Sequence, residues 1–186
     1  MRKTYLKIAR QAIEDVLYER DTIEREVLVA RYPELAEEGA TFVTLTLAGN
    51  LRGCIGSLVA HRPLIDDIIS NARSAAFHDP RFMPLTKAEL AEVEIEVSLL
   101  SRPVWMEYAT IEELKRKIRP GVDGVVLSLD GRRATFLPQV WEELPSFELF
   151  FSQLCQKAGL RGNCLEEFPQ IETYQVEKIK EGEDVY

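Results

Sequence analysis

The residues best suited to chemistry sit in Leu51-Arg52-Gly53-Cys54-Ile55-Gly56, where a cysteine lies between two glycines and two residues after an arginine. Glycine permits close backbone approach and positive φ. A neighbouring guanidinium favours a thiolate, the nucleophilic form of cysteine. Backbone N–H groups around Gly53 and Gly56 are placed to meet a small ligand. The competing reading is a tight turn in a sheet around an inert, buried cysteine. A second stretch, His78-Asp79-Pro80-Arg81, supplies a candidate base in His78 and a carboxylate, Asp79, to orient its ring. The alternative for Asp79 is a turn acceptor beside proline, with Arg81 in a salt bridge to Asp79 or to Glu96. Cys54 and His78 are thus the candidate catalytic pair. Arg52, Gly53, Gly56, Asp79, Arg81, Glu96 and Gln139 are the candidate ligand-binding residues.

The last two come from less specific signals. Glu96 shares a strand face with Glu94 and Ser98, which either lines a cleft or meets solvent. Gln139 follows Pro138 at a helix start, where free N–H groups favour an anion.

The chain has 186 residues and is 46% hydrophobic and 29% charged, a soluble protein with ample core material. No apolar run approaches a membrane span. The start, Met1-Arg2-Lys3-Thr4-Tyr5-Leu6, leads into an amphipathic pattern and not a secretory signal, so a cytoplasmic location is expected. The formal charge of −8 argues against general binding to nucleic acid or to an anionic membrane. It is unevenly spread. Residues 41–88 carry Arg52, Arg62, Arg73, Arg81 and Lys87 against Asp66, Asp67 and Asp79. A small anionic ligand is best received there. Three cysteines, Cys54, Cys155 and Cys164, make no disulfide framework, and a Cys155–Cys164 bond is not expected in a reducing cytosol. Two widely separated histidines and no C-x-x-C argue against a structural zinc site, so no metal site is assigned.

These residues need elements to hold them. Residues 2–19 have helical apolar spacing. Phe42–Leu47 and Leu51–Val59 flank the turn Ala48-Gly49-Asn50 and predict a β-hairpin. Two glycines inside the second strand suggest a bulge or a close contact; in a regular strand Arg52 and Cys54 share a face, although glycine is able to break that alternation. Pro63 to Ala76 predicts a helix with Pro63 in its first turn. Thr86 and Glu89 have capping-box spacing, as do Thr110 and Glu113. Val93–Leu99 alternates like a half-exposed strand. Val125–Leu129 and Arg133–Leu137 flank an Asp130-Gly131 hairpin turn. Phe147–Ala158 predicts a helix stopped by Gly159, and Tyr174–Ile179 a final strand. Trp105, Trp141 and the phenylalanines of 147–151 are expected in the core. Without a βαβ rhythm, the class is α+β, with mixed or antiparallel sheets and flanking helices.

Several of these segments together resemble the AMMECR domain family, also called protein A of the AmmeMemoRadiSam system. The resemblance rests on Leu51-Arg52-Gly53-Cys54-Ile55-Gly56, Asp79-Pro80-Arg81-Phe82, Val97-Ser98, Gly121-Val122-Asp123-Gly124, Leu137-Pro138-Gln139-Val140 and Lys157-Ala158-Gly159-Leu160. It departs after the last motif, where Arg161-Gly162-Asn163-Cys164 stands in place of the family's usual tryptophan. The resemblance implies one domain over residues 1–186, with a larger and a smaller lobe in one compact unit. It implies no settled activity and no known cofactor. Its system name implies a radical SAM or a Memo-like protein as partner. Two functions are carried forward. One is an enzyme with a cleft centred on Cys54, acting on a small anionic or nucleotide-like substrate. The other is a non-catalytic binding or scaffold module for such a partner.

Overall fold

The computed structural model describes residues 1–183. The elements run α1 (Arg2–Leu17), α2 (Arg25–Arg31), β1 (Ala40–Leu47), β2 (Asn50–Gly56), α3 (Leu64–Phe77), α4 (Lys87–Leu90) and β3 (Val93–Leu100). There follow β4 (Val104–Trp105), α5 (Ile111–Lys117), β5 (Gly124–Leu129), β6 (Arg132–Phe136), α6 (Val140–Glu143) and α7 (Phe147–Lys157). The last two are β7 (Gln170–Tyr174) and β8 (Val176–Lys180). Two units result. The larger takes residues 1–100 and the segment from Glu177, and the smaller takes Ser101–Val176. Each holds a four-stranded sheet, in the order β2-β1-β3-β8 and β4-β7-β5-β6. The α+β class holds, and every pairing with a defined register is antiparallel.

In the larger unit, α1 turns Tyr5, Leu6, Ile8, Ala9, Ala12 and Ile13 inward, the 3.6-residue stripe its sequence shows. Val16, expected on that stripe, is exposed; it lies in the last turn of the helix, where Asp15 is buried instead. The inner faces of β1 and β3 contribute Val43, Leu45, Val93, Ile95 and Val97, and α3 contributes Ile65, Ile68, Ala72 and Ala75. The hairpin forms as its pattern predicts, although β2 ends at Gly56 and not at Val59. Ala48 and Gly49 take positive φ in the two-residue turn, the geometry whose twist matches the strands. Pro63 is the N-cap of α3, one position before the first turn, and the Thr86–Glu89 capping box is complete.

The smaller unit packs Leu114, Val125, Leu127, Trp141, Phe147, Phe150, Phe151, Leu154 and Ile171 into its own core. Trp141 stacks on Phe150 with centroids 3.7 Å apart. Trp105 departs from expectation: it lies on the two-residue edge strand β4 and is exposed. The predicted final strand is two strands in two sheets. Tyr174 ends β7, Val176 starts β8, and Gln175 between them pairs its backbone with Ser101. Cys155 and Cys164 also overturn their expectation. They are disulfide-bonded, with Cα atoms 5.9 Å apart. The turn after α7 brings them together: Gly159 is left-handed, and Gly159 and Leu160 donate to the Gln156 and Cys155 carbonyls in a Schellman cap.

Among the described residues no helix is long and apolar enough to cross a membrane. None of their His, Cys, Asp and Glu side chains form a group of three or more able to hold a metal ion.

Candidate functional site

Cys54 lies on β2, the edge strand of the larger unit's sheet. Its neighbours Gly53 and Ile55 pair with Leu45 and Val43, whose side chains are fully buried, so alternation turns Cys54 to the opposite face. The thiol is half-buried and free. Directly across β1 stands Thr44, and directly across from Thr44 on β3 stands Glu96. Thr44 Oγ1 is 3.3 Å from Cys54 Sγ. The row continues the outward face with Phe42, which pairs with Gly56 on one side and Ser98 on the other.

The Cys54 peptide points off the open edge of the sheet, where Asp79 and Arg81 meet it. Cys54 N–H donates to Asp79 Oδ2 at 2.9 Å, and Arg81 Nη2 donates to the Cys54 carbonyl at 3.4 Å. Arg81 also donates from its backbone N and Nε to Asp79 Oδ1 and from Nη2 to Oδ2. An exposed edge peptide is ordinarily a template for strand addition. Here a carboxylate and a guanidinium occupy it. The Asp79 side chain is 1% exposed and that of Arg81 54%. Burial alone disfavours a charged carboxylate, but the Arg81 guanidinium, assisted by the Cys54 and Arg81 N–H groups, holds Asp79 well below its ordinary value. The same contact raises Arg81, with the Cys54 sulfur contributing.

Arg52 is used differently. The register shifts between Leu45 and Thr46, leaving Arg52 as the extra residue of a β-bulge and breaking the expected Arg52–Cys54 alternation. Its Nε and Nη2 donate to the two Glu89 oxygens at 2.9 and 3.1 Å, and Nη2 donates to the Met83 carbonyl. Arg52 is 12% exposed along its side chain, and Glu89 neutralises its charge. The pairing, helped by the Thr86 N–H, brings Glu89 down to about 2. The Phe82 ring meets both guanidinium groups, its centroid 5.8 Å from Arg52 Cζ and 5.4 Å from Arg81 Cζ.

Both glycines of the hexapeptide have packing roles. A Cβ on Gly53 would overlap the Ala75 carbonyl of α3, and one on Gly56 would overlap the Phe42 ring. His78 is the C-cap residue of α3 and is exposed, and its ring bonds to no described residue. Glu96 is half-buried, with Ser98 Oγ 3.5 Å from its Oε1. Gln139 lies in the smaller unit, exposed at the N-cap of the four-residue α6. The structure therefore joins Cys54, Asp79 and Arg81 directly, and places Arg52 beside them through Phe82.

Sequence reasoning did not single out Thr44, Phe82 or Glu89. For Thr44 the signal was present but not used. The predicted turn Ala48-Gly49-Asn50 pairs Leu47 with Leu51 and so sets Thr44 opposite Cys54; the structure reaches that pairing with a two-residue turn and the bulge at Arg52. For Glu89 the capping-box spacing was legible, but not the arginine that it also holds.

Known proteins are similar to this chain over most of its length. The family model described as AMMECR1 matches residues 6–179. A protein of Methanothermobacter thermautotrophicus is 38% identical over 175 residues, covering 93% of this chain and 89% of that protein. One of Thermococcus onnurineus is 37% identical over 187 residues, covering 95% and 88%. The crystal structure of an uncharacterized protein from Pyrococcus horikoshii is similar with a TM-score of 0.74 and 34% identity, covering 96% of this chain and 90% of that one.

Proposed function

The chain belongs to the AMMECR1 family, and from that premise we propose that its larger unit is an enzyme module in which Cys54 is the nucleophile toward a small anionic or nucleotide-like substrate. One observation carries this reading. A guanidinium is fixed at the backbone of a residue whose thiol is half-buried and free: Arg81 is held by the buried Asp79 and by the Cys54 carbonyl, and the rest of it is open. Arg81 is then the anion-binding group and Asp79 its positioning residue. Arg52 serves the architecture, since Glu89 occupies it. His78, exposed beside Asp79, is the proposed proton acceptor for the thiol. Glu96, at the far end of the Cys54–Thr44–Glu96 row, is a polar contact for a ligand lying across that face. Gly53 and Gly56 contribute by letting α3 and Phe42 pack close. Gln139, exposed on the smaller unit, has an amide bonded to no described residue. The cytoplasmic location is kept as part of this reading, and the Cys155–Cys164 disulfide is the observation that weighs against it.

A second reading is favoured by those same glycines. Their packing accounts for the hexapeptide without chemistry, as a docking or scaffold element for a radical SAM or Memo-like protein. Alkylation of the folded protein by iodoacetamide, followed by peptide mass at Cys54, separates the two. The enzyme reading expects Cys54 to label in the native state, and Arg81→Gln to slow it roughly two- to fivefold through loss of the adjacent charge. Labelling only after unfolding would remove the nucleophile and leave the scaffold.

A further inference from the structure

We infer that Thr44 is the positioning residue of the Cys54 sulfur, donating its hydroxyl proton to Sγ and fixing the direction from which the sulfur attacks. The inference rests on the proposed role of Cys54. Three observations on different atoms support it. Thr44 and Cys54 are directly opposed in the hairpin. The Cys54 N–H turns outward to Asp79, so the two residues occupy a non-hydrogen-bonded pair, the position at which facing side chains come closest. Finally, Thr44 Oγ1 sits 3.3 Å from Sγ and has no other side-chain hydrogen bond to a described residue. Threonine is stiff at χ1, so the hydroxyl is held where the strand puts it.

The direction of the bond follows from the chemistry of the reactive form. A neutral thiol and a hydroxyl can each donate to the other. A deprotonated sulfur has no proton to give and can only accept, and a hydrogen bond to a charged acceptor is about twice as strong as a neutral one. The charged groups on the elements that meet Cys54 are Arg81 and Asp79, which hold its backbone at the strand edge, Arg52 with its partner Glu89 at the bulge, and Glu96 one strand beyond Thr44. Of these, Arg81 supplies charge while Thr44 supplies the directed proton. The bulge at Arg52 gains a purpose here, because the unbulged register would set Thr44 opposite Gly53.

The test is the second-order rate at which native Cys54 displaces iodide from iodoacetamide near neutral pH, in the wild type, Thr44→Val and Thr44→Ser. Valine keeps the volume and removes the hydroxyl, and serine keeps the hydroxyl. The inference expects a threefold or greater slowing in Thr44→Val and a rate within twofold of wild type in Thr44→Ser. Should Thr44→Val fail to fold, Thr44→Ala provides the same comparison. A wild-type rate in the folded variant lacking the hydroxyl, or equal slowing in Thr44→Ser, would overturn the inference while leaving Cys54 as the nucleophile. A wild-type Cys54 that labels only on unfolding would instead remove the reading beneath it.

Discussion

Asp79 spends both carboxylate oxygens on groups within its own clasp: the Cys54 N–H, the Arg81 N–H and the Arg81 guanidinium. Nothing is left for a ligand, so its contribution to any chemistry passes through Arg81. The same contacts set an acid limit. Asp79 is held below its ordinary 3.8 chiefly by Arg81, and Glu89 is brought from 4.5 to about 2 chiefly by Arg52. Both folded-state values are depressed, so the stabilisation is fully present above the ordinary values and is lost as pH falls toward the folded ones. The urea midpoint of the protein should therefore be insensitive to these two groups above about pH 5 and decline from there to about pH 2. Glu89→Gln should begin less stable and lose less over that interval. Parallel curves for variant and wild type would contradict the assignment. At this scale much was legible in sequence: Cys54, Asp79 and Arg81 were named from residue type and spacing, and they meet. Arg52 was named for the wrong partner, because no spacing shows that Glu89, a capping residue of α4, also reaches the bulge.

The hairpin and α3 act as one element pair, joined through the absence of a side chain at Gly53. Any Cβ there would enter the Ala75 carbonyl, and backbone does not yield as a side-chain end does. Gly53→Ala should destabilise the larger unit by about 2 kcal/mol or more, as overpacking does. A chemical-denaturation midpoint reads this directly, and a near-neutral result would show that α3 can slide away. The exit from β2 is tied down by a buried network on Asp67. That carboxylate accepts from Arg62, Ser57, the Thr41 N–H and hydroxyl, and Asn71. It is fully buried and every acceptor is used. Removing it leaves the buried Thr41 N–H and the Arg62 Nε without their acceptor, so Asp67→Ala should cost about 3–5 kcal/mol. In the sequence Asp66 and Asp67 counted only as two of the acidic charges of residues 41–88. Only the fold reveals that Asp66 faces Arg25 at the surface while Asp67 turns inward. Local pattern likewise found β1, β2, β3, β5, β6 and both capping sites, and the two glycines of β2 pointed to a bulge or a close contact; what it did not show was the bulge's place at Arg52, which depends on the meeting of β2 with α3 and with Glu89.

For the molecule as a whole, each of the two units has a core and a sheet of its own. In the smaller unit the Cys155–Cys164 bond closes a short loop after α7, and Arg132 reinforces it by donating to the Gly159 carbonyl. Cross-links of that loop length contribute about 2–3 kcal/mol. Replacing both cysteines by serine should lower stability by that amount, with amide exchange faster in 101–176 and unchanged at Cys54. The bond was not expected because the redox prior outweighed a spacing that was compatible with it. Tyr174–Ile179 was read as one strand for a related reason: its pattern is continuous, and only the assignment of β7 and β8 to different sheets breaks it at Gln175.

The central claim is that the Cys54 thiol and the Arg81 guanidinium serve one ligand. Protection of Cys54 from iodoacetamide by millimolar AMP, with inorganic phosphate alongside, tests it most directly. The account predicts that AMP slows native labelling several-fold in the wild type and has no effect in Arg81→Gln. Labelling at the same rate with and without either anion, in a wild type whose Cys54 reacts in the folded state, would contradict it.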